Sequence, residues 1–332
     1  MKLEQILEEF EHQEKLDESG IRDIKKLRKK FDKAEIYFHI DTDGVTSALG
    51  MKSYLESYRF KVINAYPIQY GSQEYTAPKG RKRVMKILVD FAHGGVRFQI
   101  HQDHHEGQVG VEKGTSTSFK KKPSGAGIIS GEISPKEIFP PRDLKIIDTV
   151  DSADFVSQGL EPDDIMRAAF GLDKSISVKD NHRMMGLVVN KLLLTYKNKK
   201  DFLQKLIMTA NPSLISMYNV IKRLAKKEGY KPPEEIAADS EKYQEQIKGK
   251  FKEGGLSVVK DLKNGESTKV GNLLVQYGGG YMGKGNQYDR YTPFKLHPDV
   301  NYLTMAWPVG LVQLSQNPFK KLKSDLHLGN IV

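Results

Sequence analysis

Apolar residues recur along the chain with two different periods, and the change of period divides it. Leu3, Ile6, Leu7 and Phe10 repeat at helical spacing, as do Ile21, Ile24 and Leu27, so residues 1–31 read as helix. Lys25, Lys26, Arg28, Lys29 and Lys30 give that segment a basic, solvated face. From Ala34 the texture becomes that of strands. Ala34–Ile40 is a short, mostly apolar run with β propensity that stops at a polar turn ending in Gly44. Val45–Tyr58 reads as a helix, and Lys61–Tyr66, Val84–Phe91 and Val96–His101 read as further strands. Strand, helix, strand in this order predicts an α/β unit with a largely parallel sheet, on which Gly125–Glu132 and Asp143–Phe155 would pack as helices.

Residues 160–252 read as mainly helical. Asp163–Phe170, Arg183–Leu194, Phe202–Met208, Pro212–Leu224 and Glu234–Lys250 all space their apolar residues in the helical manner. Lys197, Lys199 and Lys200 fall in an exposed connection between them. After Gly254 strand-like runs return, at Leu256–Val259, Leu273–Gln276, Tyr302–Trp307 and Leu311–Leu314, with a glycine-rich loop, Gly278–Gly285, between them. No internal repeat or low-complexity tract interrupts the pattern. The predicted fold class is α/β: a helical segment (1–33), a domain with a mostly parallel sheet and flanking helices (34–195), a helical connector (196–254) and a smaller C-terminal α+β domain (255–332).

Composition removes several classes. The 332 residues contain no cysteine, which excludes disulfide scaffolds, cysteine–zinc sites, iron–sulfur clusters and thiol nucleophiles. No stretch approaches the roughly 18 apolar residues of a membrane span. The segment Met1 to His12 is acidic and amphipathic, unlike a secretory signal, so a soluble, cytoplasmic protein without a membrane partner is expected. Lys and Arg number 52 against 42 Asp and Glu, a net charge of +10. That balance fits a polyanionic partner such as nucleic acid, and it fits plain solubility equally well.

Three polar clusters fall where strands, or the first turn after them, should end. They are His39-Ile40-Asp41-Thr42-Asp43-Gly44, Asp90 closing the run Ile87-Leu88-Val89, and Asp103-His104-His105 after Val96–His101. In an open α/β sheet, ligands bind outside the carboxyl ends of the strands, where residues distant in sequence meet. Taken singly, each cluster has a bland explanation: a capped turn entering a helix, a turn-forming aspartate, a hydrogen-bonded structural imidazole. Their order and common placement point instead to a divalent metal. Carboxylate oxygens with imidazole nitrogens suit Mn²⁺, Mg²⁺, Co²⁺ or Zn²⁺, and the dominance of carboxylate favours Mn²⁺ or Mg²⁺.

The succession His-x-Asp-x-Asp-Gly, strand-Asp, Asp-His-His resembles the DHH phosphoesterase superfamily, which includes RecJ-like exonucleases, oligoribonucleases, cyclic-dinucleotide phosphodiesterases and family II pyrophosphatases. After the small-residue run Ser124-Gly125-Ala126-Gly127, the stretch Asp151-Ser152-Ala153-Asp154-Phe155 is similar to the family's fourth motif. The resemblance covers roughly residues 34–160. It implies two divalent cations, Mn²⁺ first, with Mg²⁺ or Co²⁺ as substitutes. Asp41 would bind one ion and Asp43 the other, Asp90 would bridge them, and His104 and Asp151 would complete the set. His39 would ligate or stand behind the ligands, Asp103 would orient an imidazole, and His105 would face the substrate phosphate. Asp148 and Asp154, each three residues from Asp151 and so on the same helical face, remain alternatives to it. Two such ions, about 3.5–4 Å apart, clamp a phosphate and acidify the attacking water.

The C-terminal part resembles more loosely the substrate-binding domain that accompanies this catalytic domain. Its loop reads Tyr277-Gly278-Gly279-Gly280-Tyr281, with tyrosine where the family often has histidine. Gly278, Gly279 and Gly280 would let backbone N–H groups approach phosphate oxygens. Lys284 and Arg290 would add charge, and Tyr281, Tyr288 and Tyr291 stacking faces. The expected function is hydrolysis of phosphodiesters in single-stranded nucleic acid or short oligonucleotides. A cyclic-dinucleotide or small-nucleotide phosphohydrolase is the first alternative, and a nucleic-acid-binding module with an unused metal site the second. A pyrophosphatase is the least favoured, because so small a substrate needs no basic surface.

Overall fold

The computed structural model describes residues 24–69, 82–91, 98–105, 116–119, 122–134, 136–156, 189, 192–193, 200–231, 248–278, 292–306 and 312–321. The chain forms two compact units, Met1–Ser152 with Val189–Glu228, and Ala153–Val188 with Gly229–Val332. The expected helices over 1–23, Asp163–Phe170 and most of Arg183–Leu194 and Glu234–Lys250 lie outside the described residues, as do Gly279, Gly280, Tyr281, Lys284 and Arg290.

In the first unit, residues 24–30 are helical and lead into β1 (Lys33–His39). Then follow α1 (Thr42–Ser57), β2 (Lys61–Ile68), β3 (Val84–Val89), β4 (Ile100–Asp103) and β5 (Ser116–Phe119). The five strands form one sheet in the order β2-β1-β3-β4-β5, every pair parallel. β1 is covered on both faces, which is why its middle is an unbroken buried run. Ile36 and Phe38 are fully buried, and α1 packs on β1, β2 and β3 through residues such as Val45, Leu49 and Leu55. On the alternate positions, Tyr37 joins Ile68, Leu88, Phe91 and Phe98 in an aromatic cluster, with Tyr66 stacked on Tyr37 at 4.9 Å. Each such buried side chain stabilises the fold by about 1.5–3 kcal/mol.

Further helices complete the unit. α2 (Gly125–Ile128) runs into a π-helical turn, Ile129–Ile133. α3 spans Pro141–Ser152, α4 Lys200–Thr209 and α5 Leu214–Glu228. α3 begins at a proline, whose fixed φ suits the first helical position. It stops before the expected Phe155 because Ala153 takes a left-handed φ of 53°. At its other end the buried Asp143 carboxylate accepts the Leu214 N–H at 2.9 Å, capping α5 from outside that helix. α4 packs on β2, where the Gln204 amide meets the Asn64 side chain.

The second unit holds a mixed sheet in the order β6-β7-β8-β9. β6 (Glu266–Val270) and β7 (Leu273–Tyr277) are antiparallel, joined by Gly271 and Asn272, with Gly271 at a φ of 57° that a two-residue hairpin turn requires. β7 pairs parallel with β8 (Tyr302–Ala306), which pairs antiparallel with β9 (Val312–Gln316). Leu274, Val300, Leu303 and Met305 form its core with Phe294 of α6 (Thr292–Leu296). The fold class is therefore α/β, with a smaller mixed α+β unit.

Several sequence expectations need correction. Leu256–Val259 is not a strand but part of a 3₁₀ helix, Gly255–Asp261, none of whose residues is buried. Gly254 and Gly255 both have positive φ, which breaks the extended chain just before it. β4 begins at Ile100 rather than Val96, so Asp103 is its last residue instead of following it. β5 and β6 were not expected, since Ser116–Phe119 and Glu266–Val270 are polar runs without an apolar alternation to reveal them. We expect Asp143→Ala to cost about 1–3 kcal/mol, because the buried Leu214 N–H loses its acceptor. Urea unfolding measures this, and an unchanged midpoint would count against the cap.

Candidate metal centre

The head of the parallel sheet gathers charge from five strand and helix ends. β1 ends in His39, and Asp41 caps α1 by accepting the Gly44 N–H at 2.9 Å. Gly44 allows no side chain: a Cβ there would lie 2.2 Å from the His39 carbonyl oxygen. The helix thus starts hard against the end of its strand. Asp43, in the first turn, is buried and accepts the Gly125 and Ala126 N–H groups at 2.7 and 3.1 Å, with Ser47 Oγ at 3.3 Å. The N-terminus of α2 therefore faces this carboxylate, a favourable arrangement for a negative charge. Gly125 is equally confined, since a Cβ would sit 2.7 Å from Ser47 Oγ and 3.1 Å from Asp43 Oδ2.

β3 delivers Asp90 in the residue after its end, in a left-handed conformation with φ 50°. The side chain is 1% exposed, and neither carboxylate oxygen accepts a hydrogen bond. β4 delivers Asp103, whose Oδ1 accepts the His104 N–H at 2.8 Å, the His105 N–H at 3.2 Å and the His105 Nδ1 proton at 2.7 Å. One carboxylate thereby shapes the whole Asp-His-His turn. α3 contributes Asp151 from its last turn.

The tautomer of His104 follows from its partner. Its Nδ1 lies 3.1 Å from the Lys122 carbonyl oxygen, which can only accept, so Nδ1 carries the hydrogen. In the neutral ring Nε2 is then a lone pair. It points at three carboxylate oxygens: Asp43 Oδ2 at 3.2 Å, Asp90 Oδ1 at 3.3 Å and Asp151 Oδ2 at 3.4 Å. A lone pair facing three anions is repelled unless a proton or a metal ion stands between them. His39 repeats the theme, with Nε2 on Gln69 Oε1 at 2.8 Å and Nδ1 2.6 Å from Asp41 Oδ2 and 3.9 Å from Asp90 Oδ2.

The acid–base balance reflects this crowding. Burial, then the carboxylates of Asp43, Asp41, Asp151 and Asp103, push the Asp90 carboxyl well above the usual range. Burial would lower His104, but Asp43, Asp151 and the Lys122 carbonyl outweigh it and raise the imidazole from 6.5 to about 9. Burial would likewise lower His39, yet Asp41, Gln69 and Asp43 raise it. Burial would raise Asp41 and Asp103, but His39 holds the first below the ordinary value and His105 the second.

Three groups of side chains offer donor atoms all within 4.8 Å of one another: His39, Asp41 and Asp90; Asp43, His104 and Asp151; and Asp90, His104 and His105. They could hold metal ions, and Asp90 belongs to two of them. The unsatisfied oxygens of Asp90 and the lone pair of His104 are the features a cation would complete. All eight expected residues of the first unit meet here: His39, Asp41, Asp43, Asp90, Asp103, His104, His105 and Asp151. Asp148 turns elsewhere, towards the Ser124 hydroxyl, and Asp154 stands beyond the end of α3 and in none of the three groups. Sequence reasoning missed Gln69, Ser47 and the Lys122 carbonyl. Nothing marks a backbone carbonyl in a sequence. Of the expected substrate loop only Gly278 is described, at the end of β7 with φ 61°.

No family model matches the chain, and no curated protein matches it. Among solved structures it is similar to the pGpG-specific phosphodiesterase PggH from Vibrio cholerae, at 13% identity and a TM-score of 0.43 over 90% of this chain and 87% of that one. It is similar to the exonuclease RecJ bound to manganese, at 12% identity and a TM-score of 0.46 over 88% and 80%. It is also similar to RecJ in complex with Mn²⁺ from Thermus thermophilus, at 11% identity and a TM-score of 0.49 over 88% of this chain but 46% of that one. Among its described residues, no helix is long and apolar enough to cross a membrane.

The metal-free centre should answer to pH in one direction. Asp90, His39 and His104 all bind protons more readily folded than unfolded, so their contribution is present at low pH and is lost as pH rises. Asp41 and Asp103 act oppositely, but their contribution is complete once pH exceeds the ordinary carboxylate range. We expect the thermal midpoint of chelator-treated protein to fall between pH 6.5 and 9, the span over which His104 deprotonates. Added Mn²⁺ should reverse the fall at pH 8. Asp90→Asn should raise the metal-free midpoint at that pH and remove most of the gain from Mn²⁺. A midpoint that stays flat across this range would contradict the electrostatics described.

Proposed function

We propose that the protein is a divalent-metal-dependent phosphodiesterase of the DHH kind, acting on single-stranded nucleic acid or short oligonucleotides. The observation that carries this is the His104 lone pair, fixed by the Lys122 carbonyl and aimed at three carboxylates beside the unsatisfied Asp90. In this reading His39, Asp41 and Asp90 hold one cation, and Asp43, Asp90, His104 and Asp151 the other. Mn²⁺ is the preferred ion, because the set is mostly carboxylate with two imidazoles. When bound, such ions polarise a phosphoryl oxygen and acidify a water.

The remaining residues orient and move protons. Asp103 takes the His105 Nδ1 hydrogen, so Nε2 is the nitrogen left to hold or give a proton at a substrate oxygen. The His105 side chain is 47% exposed, as a substrate-facing group requires. Gln69 and the Lys122 carbonyl fix the rings of His39 and His104. Asp43 keeps its place through the amides of α2 and needs no movement when metal arrives. The loop from Gly278 to Arg290 is the proposed substrate contact, on the strength of its glycines, tyrosines and basic residues. The net charge of +10 favours a substrate with several phosphates over a small one.

Purified protein should hydrolyse a chromogenic phosphodiester and a short oligonucleotide only with Mn²⁺ or a similar ion. Asp90→Asn should lose nearly all turnover while remaining folded. Metal bound without hydrolysis across a panel of linear, cyclic and longer substrates would sink the enzymatic reading and leave a binding module. A second outcome concerns the fourth motif. Elemental analysis should find less metal in Asp151→Ala than in Asp148→Ala or Asp154→Ala. If Asp154→Ala is the variant that loses metal, the assignment of Asp151 is wrong.

A further inference from the structure

One buried imidazole near the centre has no part in the reading above. His101 lies on β4, 3% exposed, two residues before Asp103. Its Nε2 lies 2.9 Å from the Phe91 carbonyl oxygen. A carbonyl only accepts, so this nitrogen carries the hydrogen and donates it. Phe91 directly follows Asp90, whose left-handed φ of 50° is costly for a residue with a side chain and must be held by its surroundings. The Asp90 N–H donates to the Gln102 carbonyl at 2.9 Å. β4 therefore grips the chain on both sides of Asp90, by a backbone carbonyl before it and the His101 imidazole after it. The Phe91 ring is buried in the aromatic cluster and lies 5.7 Å from the His39 ring, centre to centre.

We propose that His101 is a positioning residue of the metal centre. By holding the Phe91 carbonyl it latches the left-handed turn that aims the Asp90 carboxylate between the two donor groups, and it fixes the ring that backs His39. A hydrocarbon at this position would fill the space but take this donor from the Phe91 carbonyl and leave the turn without its latch. The inference rests on the reading of these residues as a metal centre, and it deepens that reading by naming what sets the Asp90 geometry.

Co²⁺ titration of the purified chain, followed by visible absorption, tests it on wild type, His101→Met and His101→Gln. The two replacements have similar length, and only glutamine has an N–H to donate. His101→Met should bind Co²⁺ about tenfold or more weakly, the usual scale for a lost outer partner of a metal ligand. Its absorption bands should also change, because the geometry at Asp90 relaxes. His101→Gln should recover both affinity and spectrum, which a purely space-filling role would not allow. A folded His101→Met protein with wild-type affinity and bands would overturn the inference. So would a His101→Gln protein that loses Co²⁺ or alters its bands, and this arm decides the matter even if His101→Met fails to fold. Failure of the wild type to take up Co²⁺ would instead overturn the metal reading, and this inference with it.

Discussion

Carboxylates repel one another, and the head of this sheet concentrates them. With donor atoms within 4.8 Å, like charges at such a site cost roughly 3–4 kcal/mol per pair at an effective dielectric of 20. Three of the acids are given a local answer. Asp43 faces the amides that open α2, Asp41 caps α1 and sits against His39, and Asp103 takes three hydrogens from the turn that follows it. Neither oxygen of Asp90 accepts a hydrogen bond, although the residue is as deeply buried as Asp43 and Asp103. The repulsion left over is concentrated on the residue that two donor groups share, which is where a cation gains most.

The scaffold explains how such a site can persist. A parallel sheet brings all its strand ends to one edge, and α1, packed across β1, β2 and β3, helps keep that edge fixed. The approach of α1 to β1 is so close that Gly44 has no room for a side chain, which sets the distance between His39 and Asp43 through backbone contact alone. Functional geometry here depends mainly on main-chain placement and only secondarily on the long, flexible side chains. Even the strained turn at Asp90 is held by hydrogen bonds to its neighbouring strand.

Much of this was legible from residue order. β1, α1, β2 and β3 announced themselves because they are buried on one or both faces, and burial imposes an apolar pattern. The acidic and imidazole residues at their ends were legible because so few residue types serve that chemistry. β5 and β6 were hidden, since Ser116–Phe119 and Glu266–Val270 carry little apolar signal. The apolar residues of Gly255–Asp261 misled in the opposite sense, because two glycines with positive φ, and not the valines, decide the local path. The partners that fix the rings, Gln69 and the Lys122 carbonyl, come from loops whose course no period reveals. The end of α3, which leaves Asp154 beyond the helix, comes at a left-handed residue, Ala153, that gives no warning in the sequence.

α3 has a property that follows from being fastened at both ends. Asp143 near its start is bonded to the first amide of α5, while Asp151 in its last turn faces His104. Between them the helix acts as a spacer of fixed length and phase. Each residue adds about 1.5 Å and turns the next side chain by about 100°. One residue inserted or deleted in this interval would therefore swing Asp151 away from the imidazole or pull the cap off α5. Substitutions between the two acids can be absorbed on the outer face. Changes of length cannot, so this short helix should tolerate varied composition and almost no variation in residue count.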